Sequence, residues 1–341
     1  MTVPSRPAEN RPTAIIQRCK LENRPVCVAG PMVRYSKLPF RELCRFYNVD
    51  IVYTPMILAR EFVRNDMARY SDFTTNARDH CVIVQVGVNN VEDFMKFIDM
   101  ILPHVDGVGI NCGCPIKDQI REGIGAALMS EPHLVAAMIS AAKAKYGGSV
   151  CIDTKIRIHS DVNETIEFVK IVEAAGTDII TIHGRTKTTR SSTPVDLDAI
   201  KMVRSHIKTV PVIANGDCFT LDDCRRIAAY TGADGVMSAR GILANPALFT
   251  GQDQTPWSAV EVFMALTTSY GLPFKLSQHH VSQLLENMPV SKKVVKRVNA
   301  AKSMVEMIDV LDTYFVLKRK HEKGYACAVE PSWKKESLNI T

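Results

Sequence analysis

Short apolar runs recur along the first three quarters of the chain at intervals of about thirty residues, the length of one strand-helix unit. They are rich in valine and isoleucine and have the length of buried strands. Eight of them begin near Val26, Ile51, Cys81, Asp106, Val150, Asp178, Pro211 and Asp234. The pattern predicts eight parallel strands, each followed by a helix.

The segments between these runs carry apolar residues at spacings of three and four, which is typical of amphipathic helices. Asp161 and Thr220 stand where helix N-caps are expected, and Gly176 and Gly232 where helices should stop. An open doubly wound sheet is the alternative, but no G-x-G-x-x-G follows the first strand. Eight units favour an α/β fold of the closed (β/α)₈ type, a TIM barrel. Its helices are predicted over 91–102, 132–146, 163–175 and 221–230.

The pattern changes after Asn245, where no further strand candidate appears. Helices are predicted over 257–270, 279–286, 291–310 and 313–322. The predicted organisation is an N-terminal tail over 1–22, a barrel over 23–255, an all-helical domain over 256–325 and a loose tail over 326–341. Three prolines, Pro4, Pro7 and Pro12, favour a disordered basic N-terminal tail over a helix, and a transit peptide is the less favoured interpretation.

A net charge of +6 over 341 residues is too modest to establish nucleic-acid binding by itself. The distribution is more informative, because residues 287–325 hold nine lysines or arginines against four acids. A solvated helix face would show the same excess, so a phosphate-binding surface is one of two interpretations. Its densest part comprises Lys292, Lys293, Lys296 and Arg297.

Ten cysteines are scattered through the chain without a recognisable secretory signal, which favours free thiols in a reducing compartment. The pair Cys112-x-Cys114 lacks the second pair that a zinc site requires, so no metal is expected. No apolar run reaches the roughly 18 residues of a membrane span. We expect a cytoplasmic monomer that is not a membrane protein, and leave a nuclear or mitochondrial pool open.

Polar residues follow the predicted strands at their carboxyl ends, where the loops of a barrel build its site. The glycines of Asn215-Gly-Asp217 and Ala239-Arg-Gly241 allow close approach of the backbone, and Arg240 adds a planar donor. These loops follow strands seven and eight, where barrels commonly hold a phosphate, and they predict a phosphate-bearing cofactor. The other strand-end groups are Pro31-Met32, Gln85, Asn111 to Pro115, Lys155-Ile-Arg157 and His183-Gly-Arg185.

Taken in order, these motifs resemble the FMN-dependent tRNA-dihydrouridine synthases over about residues 24 to 320. The chain is most similar to the eukaryotic branch called tRNA-dihydrouridine synthase 4 or 4-like, through Pro31-Met-Val-Arg-Tyr-Ser-Lys37 and Tyr53-Thr-Pro-Met56. Two departures, Gly30 before Pro31 and Ala239 before Arg240, remove no functional side chain. The remaining motifs are Asp106-Gly-Val-Gly-Ile-Asn-Cys-Gly-Cys-Pro115, Arg121-Glu-Gly-Ile-Gly-Ala-Ala-Leu128, Ile182-His-Gly-Arg-Thr186, Pro211-Val-Ile-Ala-Asn-Gly-Asp217 and Gly235-Val-Met-Ser-Ala-Arg-Gly241.

The resemblance implies a reaction in which FMN, reduced by NADPH or NADH, gives a hydride to C6 of a uracil in the tRNA D-loop. It implies that Cys114 protonates C5, and an ordinary thiol is mostly protonated at neutral pH, as a proton donor must be. By the same resemblance Asn111 and Arg157 bind the uracil, and positions 20a and 20b are the expected targets. The residues it assigns to FMN are Pro31, Met32, Gln85, Lys155, His183, Asn215, Gly216, Asp217, Ala239 and Arg240.

Two other functions fit parts of the pattern. A dihydroorotate or dihydropyrimidine dehydrogenase is also an FMN barrel that acts on the C5–C6 bond, but a free pyrimidine needs no basic helical appendage. A catalytically silent tRNA-binding barrel would share the fold. The presence of Cys114, Lys155, Arg157 and His183 favours an enzyme that uses tRNA, with the helical domain as the tRNA-binding part.

Overall fold

A computed structural model describes residues 6–334 of the chain. Every predicted strand begins within two residues of its predicted position, and one further strand of two residues directly precedes Ala59. The strands are β1 (Val26–Ala29), β2 (Ile51–Tyr53), β3 (Ile57–Leu58), β4 (Val82–Gly87), β5 (Gly107–Cys112), β6 (Ile152–Arg157), β7 (Ile179–His183), β8 (Val212–Asn215) and β9 (Gly235–Ser238).

Eight of these strands form a closed parallel barrel, which confirms the predicted fold class. β1 pairs with β2 on one side and with β9 on the other, and β2 pairs directly with β4 past the short β3. The strands are almost wholly buried because helices cover the outside of the barrel. The helices are α1 (Pro12–Leu21), α2 (Leu38–Phe46), α3 (Ala59–Arg64), α4 (Asp66–Asp72), α5 (Val91–Ile101), α6 (Lys117–Arg121), α7 (Pro132–Tyr146), α8 (Val162–Ala174), α9 (Leu197–His206), α10 (Leu221–Thr231) and α11 (Arg240–Ala244).

The predicted helix ends in the barrel are confirmed by their hydrogen bonds. The Asp161 carboxylate accepts from the amide of Asn163 at the start of α8. Thr220 and Asp223 form a reciprocal capping box at the start of α10, and Gly232 ends that helix with φ +70°. These local signals place the helices without help from tertiary contacts.

The prediction of a disordered N-terminal tail is wrong for the described part of residues 1–22. Pro12 occupies the first turn of α1, where a missing N–H costs nothing and the fixed φ favours the helix. Ile15, Ile16 and Cys19 then pack beneath β1 and its neighbours. Arg6 is tied to Asp106 by two hydrogen bonds of 2.8 Å. The segment therefore closes the amino end of the barrel, and residues 1–5 lie outside the described residues.

Within residues 6–334, four helices follow the barrel. The prediction over 257–270 is confirmed, the helix predicted over 279–286 begins at Phe274 instead, and the other two predictions for this region are wrong. The helix predicted over 291–310 is interrupted at residues 301–303, where the side-chain amide of Gln278 donates to the carbonyls of Val298, Asn299 and Ala301. The helix predicted over 313–322 is absent, since the last of the four helices ends at Tyr314 and Phe315 pairs with Trp333. The helices are α12 (Trp257–Tyr270), α13 (Phe274–Glu286), α14 (Lys292–Ala300) and α15 (Met304–Tyr314).

The predicted loose C-terminal tail is also wrong as far as Lys334. The amides of Trp257 and Ser258 donate to the carbonyls of residues 329 and 328. The buried Glu261 carboxylate accepts from the amides of Lys318 and Ala326. The tail therefore covers the start of α12, and residues 335–341 lie outside the described residues.

The helical region is joined to the barrel by a continuous apolar interface between α12, α13 and α2. Its centre is His280, which is buried among the rings of Tyr35, Phe40 and Phe263. Burial lowers the pKa of His280 to about 3, so this imidazole is a neutral packing element. None of the helices within residues 6–334 has the length and apolarity needed to cross a membrane.

Candidate functional site

The register of the strands places the predicted polar side chains at one end of the barrel. Asn111 is paired with Lys155, Arg157 with His183, and His183 with Asn215. Since these positions end neighbouring parallel strands, they share one rim at the carboxyl edge of the sheet.

The loop after β5 holds Cys114 in a fixed position. The side-chain oxygen of Asn111 accepts from the amides of Gly113 and Cys114, at 2.9 and 2.8 Å. The carbonyl of Cys114 accepts from the amide of Ala126. Cys114 is half-buried, whereas Cys112 is fully buried in the core and burial raises its pKa. Of the two thiols, Cys114 is therefore the one that a ligand could reach in the mouth of the barrel, the opening at the carboxyl ends of its strands.

Gln85 and Asn111 contact each other across β4 and β5. The amide of Asn111 donates to the Gln85 side-chain oxygen at 2.9 Å. The Nε2 group of Gln85 is buried and has no hydrogen-bond partner among the described residues. A buried donor without a partner is costly, so Gln85 fits a ligand that brings an acceptor to this point.

Lys155 and Arg157 extend from β6 into the mouth, as their spacing predicts. The Lys155 ammonium donates to the side-chain oxygen of Asn215 at 2.9 Å. Burial, followed by the charge of Arg157, lowers the pKa of Lys155 to about 8. Arg157 donates to the carbonyls of Gly113 and Thr186. It therefore links the Cys114 loop to the loop after β7.

Asp153 lies one layer below these cations in the barrel core. Its carboxylate accepts from the Thr181 hydroxyl at 2.8 Å, and burial raises its pKa to about 6. Sequence reasoning missed this residue. The signal was available, because Asp153, Lys155 and Arg157 alternate on a strand that is otherwise apolar or uncharged.

Arg185 connects His183 to the last two loops. It is the second residue to which sequence reasoning gave no role. Arg185 is buried and makes an ion pair of 2.5 Å with Asp217, which also pairs with Arg240 at 2.6 Å. It approaches Nε2 of His183 at 3.2 Å. Burial, with the nearby positive charges of Lys155, Arg157, Arg185 and Arg240, lowers the pKa of His183 to about 2.

The last two loops pack so tightly against their neighbours that a side chain larger than glycine would clash at two positions. Gly216 has φ +134°, and a Cβ there would lie 2.5 Å from a methyl group of Val195. At Gly241 a Cβ would collide with the carbonyl oxygen of Cys218. The two loops line an open cavity at this end of the barrel. Its lining includes His183, Asn215, Gly216, Asp217, Ala239 and Arg240.

The loop after β1 lies beside this cavity, because the amide of Gly30 donates to the carbonyl of Ser238. The amide of Met32 donates to the Ser36 hydroxyl at 2.9 Å, so the turn that carries Pro31 and Met32 is ordered. Met32 is half-buried and packs against the apolar core. The sequence predicted that Pro31 and Met32 lie at the mouth, and the backbone of this loop runs there.

The four predicted tRNA-binding cations lie on α14, away from the contacts that organise the mouth. All four are exposed, but Arg297 donates to the hydroxyl of Tyr314 at 2.6 Å. Lys292, Lys293 and Lys296 share the solvent face opposite buried Val294, Val295 and Val298. Within residues 6–334, no cluster of three or more His, Cys, Asp or Glu side chains could hold a metal ion.

Barrels of this architecture bind phosphate-bearing ligands after their last two strands, and the glycine loops with Arg240 occupy that place. Together with the thiol and the two cations across the mouth, they define a (β/α)₈ barrel whose site fits a phosphate-bearing ligand. Comparison with known proteins gives the family. The family model described as dihydrouridine synthase (Dus) matches residues 27–336. The chain belongs to the dihydrouridine synthase family.

The chain matches several curated relatives over nearly the whole length of each relative. A Saccharomyces cerevisiae protein named tRNA-dihydrouridine(20a/20b) synthase [NAD(P)+] is 55% identical over 96% of this chain and 91% of its own. A Schizosaccharomyces pombe protein of the same name is 48% identical over 90% of this chain and 93% of its own. A human protein named as 20a/20b synthase-like is 40% identical over 85% of this chain and 91% of its own.

Proposed function

We propose that this protein is an NAD(P)H-dependent tRNA-dihydrouridine synthase that reduces the C5–C6 bond of uridines 20a and 20b in the D-loop. The observation that carries the proposal is the mouth of the barrel, where Cys114, Lys155, Arg157 and His183 meet in one hydrogen-bonded rim. The names of the yeast and human relatives support the substrate and the positions.

FMN fits this mouth as the cofactor. The cavity lined by Gly216 and Gly241 lies where barrels commonly hold a phosphate, and Arg240 supplies a positive charge there. Asn215 and Ala239 complete the cradle, while Asp217 acts by holding Arg240 and Arg185 in place. The unpartnered amide of Gln85 would receive an acceptor from the flavin ring, and Met32 with Pro31 would pack against it.

When bound and reduced, the flavin supplies a hydride for C6 of the uracil. Lys155 would place a cation beside the electron-rich reduced ring. Cys114 would hold the proton that C5 receives, and Arg157 and Asn111 would orient the base. Asn111 also positions Cys114, because its side-chain oxygen accepts from the Cys114 amide.

The helical region would hold the tRNA while the barrel performs the chemistry. A uridine in the folded D-loop must leave its stack to enter the mouth, which costs a few kcal/mol. Contacts with remote phosphates can offset that cost. Lys292, Lys293, Lys296 and Arg297 form the cationic face on α14 that we assign to this role.

The decisive experiment maps dihydrouridine in purified, unmodified tRNA after incubation with the protein and NADPH or NADH. The expected product is dihydrouridine at 20a and 20b, and the matched control is the Cys114→Ala variant. Product at other positions would contradict the target assignment.

The same preparation separates the alternatives. Turnover of free dihydropyrimidines or orotate without action on tRNA would identify a dehydrogenase of free pyrimidines. Binding of tRNA without flavin would identify a silent barrel. The cofactor extracted from the protein is expected to be FMN in one copy per chain, and FAD would overturn that part.

A further inference from the structure

Arg185 is buried at the rim, and its guanidinium reaches acceptors on three sides. Its Nε donates to the carbonyl of Thr193 at 2.8 Å. Its Nη2 donates to the carbonyl of Ser191 and to the Asp217 carboxylate. Its Nη1 is directed at Nε2 of His183, 3.2 Å away. The side chain is therefore oriented by groups outside the histidine it contacts.

The contact with His183 has only one chemical interpretation. A guanidinium can donate hydrogen bonds but cannot accept them. The Nε2 atom of His183 must then be the acceptor, with its lone pair facing Arg185. A neutral imidazole carries one proton, so that proton resides on Nδ1. Burial, together with the surrounding cations, lowers the pKa of His183 and keeps the ring neutral.

A second histidine, one strand away, has the opposite arrangement. Nε2 of His159 lies 2.9 Å from the carbonyl oxygen of Met129, which can only accept. Nδ1 of His159 lies 3.0 Å from the hydroxyl of Thr165, which can donate. His159 therefore carries its proton on Nε2. The two rings provide a matched pair within one molecule.

We propose that Arg185 is a positioning residue that fixes His183 as the neutral imidazole protonated on Nδ1. His183 then offers a hydrogen-bond donor, and never an acceptor, from its second nitrogen. His183 also lines the cavity between the last two loops. The consequence for the cofactor rests on the proposed function: the group that meets Nδ1 must be an acceptor. The tautomer itself does not depend on that function.

The test is ¹⁵N NMR of the histidine rings in the flavin-bound protein, in which protonated and unprotonated ring nitrogens have distinct shifts. His183 is assigned by the signals lost in His183→Gln. The expected result is a protonated Nδ1 and an unprotonated Nε2 for His183, with the reverse for His159. A proton on Nε2 of His183 in the wild-type protein would overturn the proposal, whatever the variants do.

Arg185→Met is expected to release the ring, so that its Nε2 becomes protonated in a large fraction of molecules. If that variant does not fold, Arg185→Gln serves, because a glutamine can donate or accept and would give a mixture. An unchanged Nδ1 proton in a folded variant would show that Arg185 is not the cause.

The matched control is Arg204→Met at the opposite end of the barrel. Arg204 also bridges two carbonyls and an aspartate, Asp234, but contacts no histidine among the described residues. Its loss is expected to leave the His183 signals unchanged. If the protein binds no flavin, the same spectrum is recorded on the flavin-free protein; the expected tautomer there would leave this inference standing although the proposed function had failed.

Discussion

At the mouth of the barrel each charged side chain is held by named partners, whereas on α14 three lysines extend into solvent. Arg157, Arg185 and Lys155 each donate to fixed oxygen atoms of neighbouring loops or strands. The α14 lysines lie on a helix that is held in place by its buried valines, Val294, Val295 and Val298. Fixed groups favour chemistry that depends on geometry, and mobile surface charges favour binding that depends on the number of phosphates met. Substitutions in the two regions should therefore fail in different ways.

The largest effect is expected from Cys114→Ala. Loss of the proton donor should lower dihydrouridine formation by roughly 10²- to 10⁴-fold. Flavin reduction by NADPH and tRNA affinity should be retained, since neither uses the thiol. Single-turnover product formation and stopped-flow flavin reduction measure the two steps. Cys112→Ala is the control and should keep most activity; if Cys112 proves essential instead, the assignment of the acid is wrong.

A smaller effect is expected when Cys114 is moved rather than removed. Gly125 has φ +66°, and an added Cβ would lie 2.8 Å from the Cβ of Cys114. Gly125→Ala should displace the thiol and reduce product formation on the order of a hundredfold.

Gly147→Ala is the matched control for that displacement. Gly147 has φ +55° and nothing within 4 Å of the added atom, so it brings the backbone strain without the clash. Its activity should stay near that of the wild type. Equal losses in the two variants would show that strain, and not the position of Cys114, is responsible.

Substitutions on the α14 face should lower the affinity of the protein for tRNA. Replacing Lys292, Lys293 and Lys296 with alanine should weaken tRNA binding and reduce the slope of log K against log salt by about one unit per lost contact. Flavin content and NADPH-driven flavin reduction should not change.

The control for net charge is the triple alanine variant of Lys96, Lys145 and Lys170. These exposed lysines lie on barrel helices and are paired with Glu92, Asp99 and Glu167. If both triple variants weaken binding equally, only the overall charge matters and the α14 face has no special role.

The smallest effect concerns pH. Lys155 loses its proton as pH rises through about 8, and a bound anion would move that transition upward. Flavin reduction should therefore fall about tenfold between neutral pH and well above the transition. Lys155→Arg keeps its charge, so its profile should be flat over the same range. A decline that persists in this variant would assign the titration to another group.

The strands and the residue types of the site were predictable because both depend on local pattern. The break between α14 and α15 was predictable too: Ser303 and Glu306 have capping-box spacing, and the Glu306 amide donates to Ser303. The segment after Tyr314 was not, because its partners are distant: Glu261 binds the amides of Lys318 and Ala326. Arg185 stood in a quoted motif, yet its acceptors Ser191, Thr193 and Asp217 lie at least six residues away along the chain and gave no signal in the sequence.

The pairing of β1 with β9 has a consequence for how the chain folds. Val26 meets Gly235, so one edge of β1 stays without a partner until almost the whole barrel has been synthesised. Contacts so far apart in sequence slow folding, and an uncovered strand edge invites pairing with other chains. Helix α1 packs against this same strand from below and is made before it. Nascent chains that end before residue 235 should therefore aggregate more readily than those that include β9.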